Sequence, residues 1–137
     1  MRVDLDTNVV LSGVFFAGVP GEVLSAWSAG RFDVIVSTRI LDEYRRAGAA
    51  LARGRPRLEA TWQPVMDWIV LRAVLVAADV TREPVSADRD DDVFLDCALA
   101  GGAGVIVSGD RHLLDINGWN GVRVLTPRRF VDELIGR

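Results

Sequence analysis

The chain has 137 residues, a net charge of −3, 50% hydrophobic residues and 26% charged residues. This is the size of one ordinary domain and the composition of a folded soluble protein, which excludes a disordered chain. The most apolar stretch, residues 65–78, contains charged side chains and is too short to span a bilayer. Asp4 and Asp6 stand where a secretory signal would be apolar, and the single cysteine, Cys97, cannot form an internal disulfide. We therefore expect one domain, residues 1–137, that acts in the cytoplasm and not at a membrane.

Strand and helix signals alternate along the chain. Short apolar, β-branched runs predict strands, and apolar residues at helical spacing predict helices between them. In chain order the pattern predicts a strand at 2–5, a helix at 21–29, a strand at 32–36, a helix from 38, a helix at 58–69 that Pro64 kinks or restarts, a strand at 73–77, a helix at 91–100, strands at 105–107 and 122–125, and a last helix from 127. Apolar strands separated by helices indicate a parallel sheet covered on both faces. The predicted fold class is α/β: a single three-layer α/β/α domain with a four- or five-stranded, mainly parallel sheet.

Four acidic residues are expected at one edge of this sheet. In parallel sheets, functional groups gather at the carboxyl ends of the strands. Asp6 ends the first strand, and Asp110 follows the fourth. Glu43 lies in the helix after the second strand, and Asp92 lies in the first turn of the helix before the fourth. We therefore expect Asp6, Glu43, Asp92 and Asp110 to converge on one crevice.

Carboxylates held this close together call for a cation, because each negative charge raises the pKa of its neighbours. Mg²⁺ or Mn²⁺ prefers oxygen ligands and can neutralise the charge that builds on a phosphodiester. With one histidine and one cysteine in the chain, the usual kinds of zinc site cannot be built. The lone histidine, His112, is interpreted as incidental rather than as a general base.

Each acid also has a local alternative. Asp6 and Asp110 could be turn residues, Asp92 a helix-start acid, and Glu43 an exposed helical residue. Asp96, one turn beyond Asp92, is a possible extra ligand, although a surface or supporting position is preferred for it. The neighbouring Asp90 and Asp91 are interpreted as a helix cap and a solvated face.

Basic and acidic residues occupy separate zones. All basic residues are arginines, and five of them lie close together: Arg45, Arg46, Arg53, Arg55 and Arg57. An acidic run extends from Asp88 to Asp96. Such a separation suits a protein that holds a polyanion with one surface and a cation with another. The arginines could position an RNA backbone, contact an acidic partner protein, or form a solvated face.

Four segments carry a family resemblance: residues 3–9 (VDLDTNV), 37–44 (STRILDEY), 90–95 (DDDVFL) with Ala98, and 107–111 (VSGDR). In order and spacing they resemble the acidic elements of PIN-domain ribonucleases. The chain is most similar to the toxin components of bacterial toxin–antitoxin pairs, the VapC-type proteins. The resemblance implies a Mg²⁺- or Mn²⁺-dependent endoribonuclease built on a parallel sheet of four or five strands between helices.

The resemblance also implies roles for single residues. The acids of the family fall on Asp6, Glu43, Asp92 and Asp110, and the polar residues that orient ligands or water fall on Thr7, Asn8 and Ser108. The implied partners are RNA, a small antitoxin and a second copy of the chain, for which Trp62, Val65, Met66 and Ile69 could supply a dimer face. Asp4 departs from the family pattern, where an apolar residue is usual.

Two other functions are kept as alternatives. One is a non-catalytic relative that binds RNA or protein only. The other is a phosphatase of the haloacid dehalogenase type, in which Asp4 would be the nucleophile and Gly109-Asp110 with Asp115 the metal motif. Only three residues precede Asp4, whereas that nucleophile ends a long apolar strand, so this alternative is disfavoured.

Overall fold

The structure, a computed structural model, describes residues 1–78, 85–87 and 91–136. The bounds of the elements in this part of the chain are β1 Arg2–Leu5, α1 Thr7–Phe15, α2 Gly18–Ser28, β2 Asp33–Val36, α3 Thr38–Ala52, α4 Pro56–Arg72, β3 Val74–Leu75, α5 Asp92–Gly101, β4 Val105–Val107, α6 Arg111–Leu114, β5 Arg123–Leu125 and α7 Pro127–Phe130. A 3-10 turn covers Trp119–Gly121, and α7 continues as a π-helical turn over Val131–Ile135.

The five strands form one sheet in the order β3-β2-β1-β4-β5, and every neighbouring pair is parallel. Consecutive side chains of a strand point to opposite faces of a sheet. In β1 the consecutive residues Val3, Asp4 and Leu5 are all buried, as are all three residues of β4. Both faces of the sheet are therefore covered by helices, which confirms the predicted three-layer α/β/α fold and its parallel sheet.

The strand order reverses between β1 and β4. The chain runs outward from β1 to β2 and β3, and then returns to place β4 on the other side of β1. Leu5 lies opposite Val107 in this central pair, and the Asp6 amide donates to the Val107 carbonyl at 2.9 Å. In open parallel sheets, ligands bind at such a reversal, at the carboxyl ends of the strands. The residues that follow β1 and β4 therefore occupy the position where this fold class places its sites.

Helix α1 has no counterpart among the elements predicted from the sequence. It begins at Thr7, directly after β1, and it buries Val9, Val10 and Leu11. The run from Val9 to Phe16 is nearly all apolar, so it shows no polar face by which a helix could be told from a strand. Tertiary packing, and not local pattern, makes this segment a helix.

The restart expected at Pro64 is wrong, because α4 is one helix from Pro56 to Arg72 with Pro64 inside it, while the kink stays a prediction. Proline removes the hydrogen bond to the carbonyl four residues earlier, here that of Ala60. Both Pro64 and Ala60 are exposed, so water can take the place of the lost donor. The buried side of the helix keeps its hydrogen bonds and holds α4 together.

The residues expected at a dimer face belong instead to the core of the protein. Trp62, Met66 and Ile69 are at most 5% exposed and pack with the central cluster, while Val65 is partly buried. Three of the four side chains are therefore covered within one copy of the chain, which leaves Val65 as the candidate for a dimer contact, and the homodimer stays a prediction. The helix hairpin of α3 and α4 covers the three buried side chains.

Among the described helices, none is long and apolar enough to cross a membrane by itself. Helices α1 and α2 meet that length and composition only when they are taken together, and their axes differ in direction by 96°.

Candidate active site

Ser108 connects the acid that follows β1 with the acid that follows β4. Its hydroxyl donates to Asp6 Oδ2 at 2.7 Å and accepts a hydrogen bond from the Asp110 amide at 2.9 Å. Both Asp6 and Ser108 are buried, at 5% and 0% exposure. The sheet reversal therefore brings Asp6 and Asp110 to one place, as the sequence predicted, and Ser108 fixes them there.

The electrostatic environment of Asp6 opposes its ionisation. Burial raises the pKa of the Asp6 carboxyl, and the negative charge of Asp110 raises it further. The hydrogen bond from Ser108 and the backbone amide of Thr7 lower the same pKa, but the net shift is upward. A cation close to Asp6 and Asp110 would reverse this balance, because it favours the charged form of both carboxylates.

Asp110 is held by the start of α6. Its Oδ1 accepts a hydrogen bond from the His112 amide at 2.8 Å, so the side chain caps this short helix. The His112 ring also approaches the same oxygen, with Nδ1 at 3.8 Å. The Asp110 side chain is 30% exposed, so it faces the solvent side of the pair that it forms with Asp6.

Asp91, Asp110 and His112 form a group in which three possible ligand atoms, one from each side chain, lie within 4.8 Å of one another. Asp91 occupies the N-cap position of α5 and is 7% exposed. Its interpretation as a solvated face is therefore wrong: the side chain is buried and contributes to an acidic group. Among the described residues, neither Asp6 nor Glu43 completes the 4.8 Å group. Asp90, interpreted as a cap, lies outside the described residues.

Asp92 binds backbone amides in the structure. Its Oδ2 accepts from the Val85 amide at 3.0 Å, and its Oδ1 accepts from the Ser86 amide at 2.8 Å. Successive residues of a helix differ in direction by about 100°, so Asp91 and Asp92 cannot face the same point. Because residues 90–92 are three consecutive aspartates, the sequence alone did not show which of them belongs to the acidic site. A carboxylate has further acceptor sites, so the metal-ligand role expected of Asp92 stays a prediction beside its observed backbone contacts.

Glu43 lies in a neighbouring cleft of about 270 Å³ between α3 and the start of α5. Ser37 Oγ accepts a hydrogen bond from the Ile40 amide and begins α3 directly after β2. Tyr44, next to Glu43, is fully buried and donates to the Leu5 carbonyl at 2.5 Å. This contact ties α3 to the end of β1, and it thereby sets Glu43 close to the carboxyl edge of the sheet.

The other predicted residues divide between buried and exposed positions. Thr7 is buried, and its Oγ1 has no hydrogen-bond partner among the described residues. Asn8 is exposed. Asp96 is 8% exposed, so a surface position is wrong for it, and its Oδ2 lies 3.8 Å from Arg39 Nη1. Arg39 was not singled out in the sequence, although it lies one helical turn before Glu43 on the same face of α3.

The five clustered arginines do not share one surface. Arg46 lines the cleft beside Glu43, whereas Arg45 pairs with Asp42 at 3.3 Å. The remaining three, Arg53, Arg55 and Arg57, are exposed around the turn that joins α3 to α4. Arg53 is ten residues beyond Glu43, about 15 Å along a helix axis. A role of the five arginines in RNA binding stays a prediction, and Arg46 is the one of the five that lines the cleft.

Asp4 forms a buried carboxyl under the candidate site. It is 0% exposed, and neither oxygen has a hydrogen-bond partner among the described residues. Burial, followed by the charge of Asp6, raises the pKa of Asp4 well above its ordinary value of 3.8. Asp4 in turn contributes to the raised pKa values of Tyr44 and Cys97, whose main cause is burial. A neutral Asp4 can replace the apolar residue that the family pattern has at this place.

The donor set of the site fits a hard divalent cation. Asp6, Asp91 and Asp110 supply carboxylate oxygens, and the buried Thr7 hydroxyl is unpartnered among the described residues. Oxygen donors of this kind suit Mg²⁺ or Mn²⁺, and His112 adds one nitrogen that Mn²⁺ accepts more readily. The acidic residues are therefore chemically suited to the cofactor that the sequence implied.

A family model for the PIN domain matches residues 2–112, so the chain belongs to the PIN domain family. The resemblance found in the sequence is confirmed at this level. The fold is also similar to a chain in the crystal structure of VapBC2 from Rickettsia felis bound to a DNA fragment from their promoter, with a TM-score of 0.56. That match has 12% sequence identity and covers 92% of this chain and 98% of the other, so it shows a shared fold alone. No curated protein matches the chain.

Proposed function

We propose that this chain is a metal-dependent endoribonuclease and the toxin of a toxin–antitoxin pair. The observation that carries the proposal is the acidic group at the sheet reversal, where Asp91 and Asp110 lie within 4.8 Å and Ser108 links Asp110 to Asp6. Membership of the PIN domain family supports a nuclease in particular.

In this proposal Asp6, Asp91 and Asp110 hold Mg²⁺ or Mn²⁺, and Asp91 takes the place first expected for Asp92. When bound, such a cation activates water and neutralises the charge that develops on a phosphodiester. Ser108 orients Asp6 and, through the Asp110 amide, the second acid as well. Glu43 faces the adjoining cleft, where it contacts the substrate or a water molecule. Thr7 and Asn8 orient water at the end of β1, and Asp92 and Asp96 support the first turns of α5.

His112 has a positioning role in the proposal. Its amide holds Asp110 Oδ1 at 2.8 Å, and its ring stands beside the same oxygen. The amide contact fixes the rotamer of Asp110 without any proton transfer by the imidazole, whose Nδ1 at 3.8 Å is too far for a hydrogen bond. The ring is half exposed, with 49% side-chain exposure, which suits a residue at the rim of the site.

Incubation of purified protein with total RNA tests the proposal. We expect cleavage with Mg²⁺ or Mn²⁺, no cleavage with excess chelator, and at least about a hundredfold loss in Asp6→Asn, because this change removes a ligand charge. Asp115→Asn is the matched control, since Asp115 is an exposed acid at the end of α6. Cleavage that persists unchanged in chelator or in Asp6→Asn contradicts the metal mechanism.

The partners follow from the same proposal. The similar fold in VapBC2 comes from a structure with promoter DNA, and we extend to this chain a small antitoxin protein as partner, with a homodimer and a cytoplasmic location. Growth arrest on expression, relieved by the product of a neighbouring gene, tests the antitoxin. Light scattering of the purified chain tests the homodimer, and a mass equal to one copy contradicts it.

The two alternatives predict different results. A non-catalytic PIN-like binding module would bind RNA but leave it intact under every metal condition. The phosphatase alternative requires Asp4 as nucleophile, yet Asp4 is 0% exposed and out of reach of a substrate. Hydrolysis of p-nitrophenyl phosphate by a preparation that leaves RNA intact would favour the phosphatase.

A further inference from the structure

Helix α3 presents two arginines to the cleft, one on each side of Glu43. Arg39, Glu43 and Arg46 have the spacing i, i+4 and i+7, which places all three on one helical face. The two arginines are therefore separated by about 10 Å along the axis. They line the cleft together with Asp42 and Val93, so its wall carries two positive and two negative side chains.

Both guanidinium groups keep donors for a ligand. Arg39 Nη1 lies 3.8 Å from Asp96 Oδ2, a distance that gives electrostatic attraction but exceeds a hydrogen bond. The buried Asp96 thereby orients Arg39, whose side chain remains 51% exposed. Arg46 is exposed, and among the residues that the structure describes none forms an ion pair with it. Each guanidinium offers five N–H donors in a planar fork that fits a phosphate.

The cleft adjoins the acidic group through the first turn of α5. Val93 lines the cleft, and Asp91, two residues earlier, belongs to the group with Asp110 and His112. An RNA strand whose reacting phosphate lies at these acids has neighbouring phosphates on both sides of it. A strand that leaves these acids across the adjoining cleft passes over the α3 face that carries Arg39 and Arg46.

We propose that Arg39 and Arg46 bind two phosphates of single-stranded RNA on one side of the scissile phosphodiester, across the cleft that both arginines line. This inference rests on the proposed function and names the residues that position its substrate. Asp42 and Glu43 lie between the two arginines along α3 and repel an anion placed midway, so this face suits two separate anionic groups about 10 Å apart. A phosphate chain supplies such separated charges to the two arginines, while the cation-binding acids receive the scissile phosphate.

The same geometry separates these two residues from the other arginines of the cluster. Arg45 is rotated by about 120° from Arg39 around α3, and it pairs with Asp42 at 3.3 Å. The three arginines at the α3–α4 turn lie beyond the end of α3, where Arg53 is about 10 Å along the axis from Arg46. The binding surface is therefore the α3 face beside Glu43, and not the arginine-rich segment as a whole.

RNA binding in chelator tests the inference without any cleavage. The test variant is Arg39→Gln/Arg46→Gln, and the matched control is Arg123→Gln/Arg129→Gln. Both control arginines pair with Glu133, and Arg123 begins β5 at the opposite edge of the sheet. The two variants lose the same charge. We expect the test variant to bind a short single-stranded RNA at least tenfold more weakly and to lose about 1.4 from the salt slope of log K, roughly 0.7 for each phosphate contact.

Cleavage kinetics with Mn²⁺ separate the inference from the proposed function. We expect the test variant to raise KM at least tenfold and to change kcat by less than about threefold, as for a residue that binds ground and transition states equally. If the wild type cleaves RNA but the test and control variants share the same KM and salt slope, the inference is overturned and the nuclease stands. If the wild type cleaves nothing while the test variant still loses its salt slope, the nuclease fails and the phosphate-binding face stands.

Single variants guard against a folding defect. Arg46→Gln breaks no ion pair with a described residue, so its melting temperature should equal that of the wild type while its salt slope falls. Arg39→Lys keeps the charge but loses the fork, so it should recover most of the slope that Arg39→Gln loses. If both double variants bind RNA like the wild type, and only the test variant loses binding to an acidic protein, the face takes a protein and the inference is overturned.

Discussion

The Ser108 hydroxyl donates to Asp6 Oδ2 across a sequence separation of 102 residues, at a distance of 2.7 Å. The two residues follow the central strands β1 and β4, which pair only because the chain reverses its direction across the sheet. The contact between Ser108 and Asp6 therefore depends on the sheet topology, and it lowers the pKa of the Asp6 carboxyl against the larger effect of burial, which raises it.

Ser108→Ala should shift the pH dependence of Mn²⁺ binding. The Ser108 hydrogen bond lowers the pKa of Asp6, so its loss raises that pKa and reduces the ionised fraction at a given pH. The acid limb of the binding curve should then move to higher pH. Ser108→Thr keeps the hydroxyl and is the control. Affinity measured by titration between pH 5 and pH 8 checks this, and an unmoved acid limb in Ser108→Ala would exclude the role given to the serine.

Asp91→Asn and Asp92→Asn should differ in which property they change: Asp91→Asn should weaken metal binding, and Asp92→Asn should lower stability. Asp91→Asn is expected to weaken Mn²⁺ binding at least tenfold and to leave the melting temperature nearly unchanged. In the wild type, each of the two Asp92 oxygens accepts a hydrogen bond from one backbone amide, that of Val85 or that of Ser86. Asp92→Asn leaves a single acceptor oxygen for these two amides. It should lower stability by about 1–3 kcal/mol through the unpaired buried amide. Melting curves and metal titrations of both variants check this. A loss of metal binding in Asp92→Asn but not in Asp91→Asn would show that Asp92 is the ligand, as first expected from the sequence.

Much of this site could be predicted from the sequence, but the choice between Asp91 and Asp92 could not. Asp6 and Asp110 could be placed together because parallel strands end at one edge of a sheet, whatever the details of packing. Asp91 and Asp92 could not be told apart, because one step along a helix turns a side chain by about 100°. The choice depends on where the 85–86 backbone meets α5, which no local pattern records.

The missed elements have the same cause. Helix α1 is apolar at most of its positions, so whether it forms a helix or a strand is decided by the helices that cover it. Arg39 becomes significant only through Asp96, which is 57 positions later in the chain and on another helix. Long-range contacts of this kind are the part of the fold that periodicity and spacing leave open.

Asp4 should make the apo protein less stable as the pH rises. Its folded-state pKa is raised well above 3.8, so the folded state holds a proton that the unfolded state releases. Stability is then fully present below pH 3.8 and is lost as the pH rises through the folded pKa, with a slope of at most about 1.4 kcal/mol per pH unit. Asp4→Asn should remove this part of the slope.

Urea unfolding in chelator at several pH values checks the Asp4 prediction. Asp6 also has a raised pKa and contributes a slope of the same sign, so Asp6→Asn must be measured beside Asp4→Asn. The wild type and Asp4→Asn should differ most above the folded pKa of Asp4. Identical slopes in these two proteins would show that Asp4 is already ionised in the fold.

Gly48 should not tolerate a side chain, because α3 and α4 cross there. A Cβ at Gly48 would lie 2.0 Å from Cε2 of the buried Trp62 ring. We expect Gly48→Ala to lower the free energy of unfolding by about 1–3 kcal/mol through overpacking. The control is Gly21→Ala in α2, where the nearest atom is 3.6 Å away and alanine should add about 0.5–1 kcal/mol. Denaturant unfolding of the two variants checks this, and equal shifts would contradict the close packing of Gly48 on Trp62.

Calorimetric titration with Mn²⁺ tests most directly whether the acids at the sheet reversal form a cation site. We expect saturable binding to the wild type and to Asp115→Asn, and at least about tenfold weaker binding to Asp6→Asn and Asp110→Asn, since each of the last two removes a charged oxygen ligand. The absence of any uptake by the wild type at millimolar Mn²⁺, or equal uptake by all four proteins, would contradict it.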